Sequence, residues 1–133
     1  MNKLEIEQTS NSPRVILDPE NNRFEIFGES RPEDVTKFYK PIMEWFDKNG
    51  PAFTEKMHPE TKEQFEFNFN IEYFNSISAK YILDIVKEIG KIHSKGIDFR
   101  VNWHYEEDDE DMLEVGVELS RLVSLPFEYR KVK

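Results

Sequence analysis

The chain has 133 residues, 38% of them hydrophobic and 14% aromatic, enough to build one domain around a real core. Its 34% charged residues and formal net charge of −9 oppose binding to nucleic-acid phosphates or anionic lipid, which leaves proteins as the expected partners. It has no cysteine, which excludes disulfides, thiol catalysis and thiolate metal sites. No apolar run is long enough to span a bilayer, and Met1-Asn2-Lys3-Leu4-Glu5 has no signal-peptide pattern, so a soluble cytoplasmic protein is expected.

Residues 1–13 are polar and end in Ser12-Pro13, which reads as a loosely ordered arm on a single domain spanning 1–133. Arg14-Val15-Ile16-Leu17-Asp18 and Arg23-Phe24-Glu25-Ile26-Phe27 flank the turn cluster Pro19-Glu20-Asn21-Asn22 and predict a hairpin. Gly28 breaks the second strand. Ser30-Arg31-Pro32-Glu33 fits a capping box with Ser30 as the cap. A helix follows, with Val35, Phe38, Tyr39, Ile42 and Phe46 on one stripe; Pro41 predicts a kink or break, and Asn49-Gly50-Pro51 a stop. Residues 51–63 read as a polar connection.

Phe65, Phe67, Phe69, Ile71 and Tyr73 alternate with Glu66, Asn68, Asn70 and Glu72, the clearest strand of the chain. A second helix places Ile82, Ile85, Val86, Ile89 and Ile92 inward and ends at Lys95-Gly96. Phe99, Val101, Trp103 and Tyr105 then alternate as a strand. A third helix starts near Asp109, with Met112, Val115, Leu119 and Leu122 inward, and stops at Ser124-Leu125-Pro126. Phe127-Glu128-Tyr129-Arg130 completes the order ββαβαβαβ as an edge strand. This is an α/β fold with a mixed sheet of 4–5 strands. Strands separated by helices imply parallel pairs with right-handed crossovers. Strict alternation implies helices mainly on one face and a polar sheet face carrying Asn68, Asn70, Asn102 and His104.

The catalytic inventory is thin. No Gly-x-Ser-x-Gly elbow, phosphate-binding Gly-Lys loop or dinucleotide fingerprint is present. His58, His93 and His104 have no second histidine at ligand spacing, so no metal site and no cofactor are expected. Glu106-Glu107-Asp108-Asp109-Glu110-Asp111 lacks the glycine and glutamate positions of an EF-hand and suits a helix start capped by Asp108 or Asp109. Docking of a protein partner there is the second reading. Glu66, Asn68, Asn70, Glu72 and His104 offer carboxylates and an imidazole on an open sheet, the basis of an alternative reading as a small-ligand binder or enzyme.

Tyr73-Phe74-Asn75-Ser76-Ile77-Ser78-Ala79-Lys80 lies where a strand gives way to a helix. Free N–H groups and the helix dipole favour negative charge there, so its hydroxyls suit either a cap or a phosphorylation switch. One cap is needed, and three capping residues stand within four positions, Asn75, Ser76 and Ser78.

The motifs Ser12-Pro13, Gly28-x-Ser30-x-Pro32-Glu33, Phe38-Tyr39-x-Pro41, Tyr73-Phe74-Asn75-Ser76-x-Ser78, Trp103-x-Tyr105 with the acidic run to Asp111-Met112, and Leu125-Pro126-Phe127 resemble, in order, the SiaC family of small bacterial phosphoproteins. That family resembles the STAS fold of anti-sigma-factor antagonists. The resemblance implies a non-catalytic regulator, phosphorylated by a dedicated kinase, reset by a phosphatase, and acting on a diguanylate cyclase that controls biofilm formation. The family's phosphorylated threonine follows the asparagine of a Tyr-x-Asn-Thr-Ser-Ser motif. Ser76 occupies that position here and Ile77 replaces the next serine, while Ser78 matches the second family serine and is the runner-up site. Asn75, Ser76, Ser78, Lys80, Asp108 and Asp109 are the implied partner-binding set. A constitutive adaptor acting through residues 106–111 is the remaining alternative.

Overall fold

A computed structural model describes residues 1–56 and 63–132. Its elements in chain order are β1 (Leu4–Ile6), β2 (Arg14–Asp18), β3 (Arg23–Ser30), α1 (Val35–Lys56), β4 (Gln64–Phe74), α2 (Ser76–Ser94), β5 (Asp98–Glu106), α3 (Glu110–Val123) and β6 (Phe127–Val132). The six strands form one mixed sheet in the order β1-β2-β3-β4-β5-β6. The first two pairings are antiparallel and the last three parallel. Because the order never reverses, every right-handed crossover falls on the same side. That is why the helices share one face, as the alternation predicts.

The core sits between that face and the helices. Phe65, Phe67, Phe69, Phe99, Val101 and Trp103 are at most 1% exposed, and they pack with Ile82, Ile85, Val86 and Ile89 of α2. Five Phe rings, Phe24, Phe53, Phe65, Phe67 and Phe99, lie around one another in edge and stacked contacts.

The sheet has six strands rather than four or five, because the expected loose arm contains β1. Leu4↔Leu17 and Ile6↔Val15 pair across β2, and the Trp45 indole donates to the Asn2 carbonyl at 2.8 Å. Three residues are too few for a period of two to be visible.

α1 also departs from expectation at both ends. Ser30 is the buried last residue of β3, and Asp34 caps the helix through the Lys37 N–H at 3.0 Å. Pro41 and Pro51 lie within the helix, which continues past Asn49-Gly50 to Lys56. Its inward stripe runs on through Trp45, Phe46, Asn49 and Phe53, all buried. That burial outweighs the local cost of proline, about 3 kcal/mol or more per interior residue. Asn49 does not stop the helix but ties it down: its amide donates to the Trp45 carbonyl at 2.9 Å and accepts from the Asn2 N–H at 3.0 Å.

Two inward assignments fail. Leu122 is 62% exposed near the end of α3, and Tyr73 is 51% exposed. Tyr73 follows a bulge: Gly28 pairs with Ile71 but Glu29 pairs with Tyr73. The extra residue flips the side-chain parity, so that Phe74, not Tyr73, packs against the core. Gly28 has φ +115°, a conformation that L side chains rarely adopt, so a substitution there is strained.

α3 lies tightly against β5. A Cβ on Gly116 would stand 2.7 Å from the Trp103 indole Cγ and Nε1, and that indole donates to the Met112 carbonyl at 2.8 Å. Gly116→Ala should therefore cost about 1–3 kcal/mol. Urea unfolding measures this, and an unchanged midpoint would mean that α3 can lift off the ring freely.

Candidate functional site

All three parallel crossovers start at the C-terminal ends of strands, so α1, α2 and α3 present their N-termini together at that end of the sheet. Asp34 caps α1, and Asp109 caps α3 through the Met112 N–H at 3.0 Å, with Glu110 and Asp111 in its first turn. α2 differs: its cap is the neutral Asn75, and its first turn holds no acidic residue.

Asn75 has extended backbone (φ −80°, ψ 171°), and its side chain accepts from the Ser78 N–H at 2.8 Å. Its carbonyl accepts from the Ala79 N–H at 3.0 Å. The N–H groups of Ser76 and Ile77 are left as outward donors of the helix start. Ser76 is exposed, and Lys80 is exposed one turn further on, its ammonium 5.8 Å from the Tyr81 ring centre. Tyr73 and Ile77, the latter 57% exposed, set apolar surface beside Ser76. Asp108 is exposed and Asp109 half-buried on the neighbouring β5–α3 connection. The sequence pattern did not single out Tyr73 and Ile77 as surface. An apolar residue among capping residues was the available signal for Ile77.

Ser78 points the other way and is fully buried. Its hydroxyl donates to the Ser30 carbonyl at 3.1 Å and accepts from the Ser30 hydroxyl at 3.0 Å. With its proton committed to Ser78, Ser30 accepts from the Tyr39 phenol in a short hydrogen bond. Burial pushes the Tyr39 pKa up from its ordinary value, partly offset by the two serine contacts. The backbone continues the tie, with the Asn75 N–H on the Ser30 carbonyl at 3.1 Å. Ser30 and Tyr39 stand in motifs that carry the family resemblance, but the sequence alone reads them only as a helix cap and a core position.

The opposite sheet face carries a shallow recess of about 250 Å³ lined by Glu25, Phe27, Asn68, Asn70 and His104. Glu66 is not among its lining residues. Asn68 Oδ1 accepts from Asn102 at 3.1 Å and lies 3.3 Å from His104 Nε2, which therefore donates. Among the described residues no three acidic or histidine side chains converge as a metal site, and no helix is long and apolar enough to cross a membrane. His58 lies outside the described residues.

Two measurements follow from this geometry. Ser78→Ala strands the Ser30 hydroxyl and should cost about 1–3 kcal/mol in chemical unfolding; a loss below that range would mean water replaces the serine. His104 has its pKa lowered from 6.5, by burial first and by Arg130 second. The unfolded chain then binds the proton more readily than the folded one. The His104 contribution is thus constant above pH 6.5 and is lost as pH falls below it. Compared with wild type, His104→Gln should show a shallower loss of stability from pH 6.5 downward, and equal slopes would refute the assignment.

The model of one protein family matches residues 6–132, and its description is SiaC family regulatory phosphoprotein. An uncharacterised protein of Pseudomonas aeruginosa is 24% identical over 127 residues, covering 96% of this chain and 94% of its own. The crystal structure of apo-SiaC from Pseudomonas aeruginosa superposes with a TM-score of 0.79 at 23% identity, over 98% of this chain and 99% of that one. A crystal structure of the diguanylate cyclase SiaD in complex with its activator SiaC, from the same organism, gives 0.81 at 22% identity, over 97% and 99%. The structural likenesses establish the fold, and the family match spans nearly the whole chain. The chain belongs to the SiaC family of regulatory phosphoproteins and is a regulator rather than an enzyme.

Proposed function

We propose that this protein is a cytoplasmic partner-switching regulator on a STAS-like scaffold, controlled by phosphorylation of Ser76. A cognate kinase adds the phosphate, a phosphatase removes it, and the state of Ser76 sets affinity for a diguanylate cyclase involved in biofilm control. The likeness to SiaC in its complex with a cyclase supports the choice of target. The observation that carries the reading is the contrast between the two serines. Ser76 is exposed at the first position of α2, whereas Ser78 is fully buried and hydrogen-bonded.

The chemistry is local. Phosphate brings about −1.5 to −2 charges to a helix start that holds no carboxylate of its own. The free N–H groups of Ser76 and Ile77 and the ammonium of Lys80 are placed to offset that charge. The fold tolerates the modification. A partner resting on Tyr73 and Ile77 does not, because a hydrated dianion then stands within its contact surface. Asn75, Lys80, Asp108 and Asp109 supply the polar rim of that surface.

Ser76→Ala should stay folded at a cost below about 1 kcal/mol, since Asn75 is the cap, and should lose phosphate incorporation by the cognate kinase. Ser76→Asp should also fold. Its affinity for the cyclase should differ from that of Ser76→Ala by at least tenfold, about 1.4 kcal/mol. Labelling that persists in Ser76→Ala moves the site elsewhere. Equal affinities of the two variants would instead identify a constitutive adaptor.

A further inference from the structure

β1 and β6 are the two edges of the sheet, and they are built differently. β1 has three residues and offers little to pair with, which is a common way to blunt an edge. β6 has six, Phe127–Val132, and no strand lies on its outer side among the described residues. The parity of its backbone follows from the pairing with β5. Val101 is opposite Phe127 and its N–H reaches the Pro126 carbonyl at 3.3 Å. In a parallel ladder the even-numbered residues of β6 then turn their N–H and C=O groups inward to β5. Phe127, Tyr129 and Lys131 turn theirs outward.

We propose that β6 is a self-association edge, on which a second copy of this chain adds its own β6 antiparallel, with Tyr129 on the two-fold axis. The register follows from charge. With Tyr129 opposite itself, the outward groups of residues 127, 129 and 131 satisfy one another. Glu128 then faces Arg130 of the second copy twice over, as a close pair without backbone hydrogen bonds between them. A shift of the dyad to residue 128 sets Glu128 against Glu128, and a shift to residue 130 sets Arg130 against Arg130. Only the central register is complementary. On the helix face, the row Trp103–Phe127–Tyr129, with ring centres 6.0 and 6.1 Å apart, would continue into Tyr129 of the second copy.

Two chains of −9 repel, and within β6 Arg130 and Lys131 stand against Glu128, so the paired edges add no acidic patch to that repulsion. In the monomer Arg130 reaches Glu128 at 3.2 Å and Asn102 of β5 at 3.4 Å, so its side chain lies on the polar face, and pairing turns it from β5 toward Glu128 of the second copy. A strand-pair contact lies at the small end of specific interfaces, below about 1,200 Å², so the dimer is reversible and depends on concentration.

Sedimentation equilibrium of the full chain across micromolar to millimolar concentration should show a monomer–dimer equilibrium. Glu128→Arg and Arg130→Glu should each weaken association by about tenfold or more, because each sets like charges opposite one another. The double exchange, Glu128→Arg with Arg130→Glu, should restore it. The loss of a merely intrachain pair would leave association untouched. Tyr129→Cys in this cysteine-free chain should give a disulfide-linked dimer on mild oxidation, since Cα atoms of such opposed residues are about 5.5 Å apart. Lys3→Cys, beside the other edge, should not. A wild-type chain that stays monomeric throughout, or charge variants that associate like wild type, would overturn the proposal.

Discussion

Ser30 holds together the end of this molecule at which α1 and α2 begin. It ends β3, and its hydroxyl accepts from Tyr39 of α1 and donates to Ser78 of α2. Its carbonyl receives both the Ser78 hydroxyl and the Asn75 N–H. Each of the three hydroxyl protons has a defined acceptor, so the chain of hydrogen bonds has one direction. In a buried site that matters, because an unmade hydrogen bond costs more there than a made one contributes. The tie reaches further through stacking. Tyr39 lies parallel to Tyr81, with ring centres 5.0 Å apart, and the Tyr81 hydroxyl donates to Thr36 at 3.0 Å. The first turns of α1 and α2 are thereby clamped to one strand end.

That clamp separates two serines that stand two positions apart. Asn75 caps the helix, Ser78 is drawn inward, and Ser76 is left exposed in the first turn, where backbone N–H groups lack intrahelical partners. A modification that had to enter the hydroxyl chain would break it. One that sits on the outward serine changes charge and shape at the surface and leaves the core contacts in place. The bulge at Gly28 contributes to the same surface by turning Tyr73 out of the core.

The monotonic strand order sets the wider architecture. It places all helices on one face, leaves the Asn68–Asn102–His104 face without a covering helix although Asn102 is itself buried, and brings three helix N-termini to the C-terminal ends of the strands. Two of those N-termini are already answered by aspartates, and the third is answered by an uncharged amide. The acidic run at 106–111 is a helix start in this setting, with Asp109 as the cap.

Much of this was legible in the amino-acid order. Alternation over 65–71 and 99–103, the apolar stripe of α2, the stop at Lys95-Gly96 and the start at Asp109 are local patterns, and local backbone geometry enforces them. The serine pair at the start of α2 was visible too, but not which serine faces outward, because both are good capping residues. β1 was too short to show a period. The prolines of α1 gave a break signal that long-range burial of Trp45, Phe46 and Phe53 overrode. Ser30 fitted a local capping box and became instead a buried hub, since its partners lie nine and forty-eight residues away. Local sequence determined the elements and their inward faces; contacts between distant elements decided their ends, the bulge and the side to which each hydroxyl points.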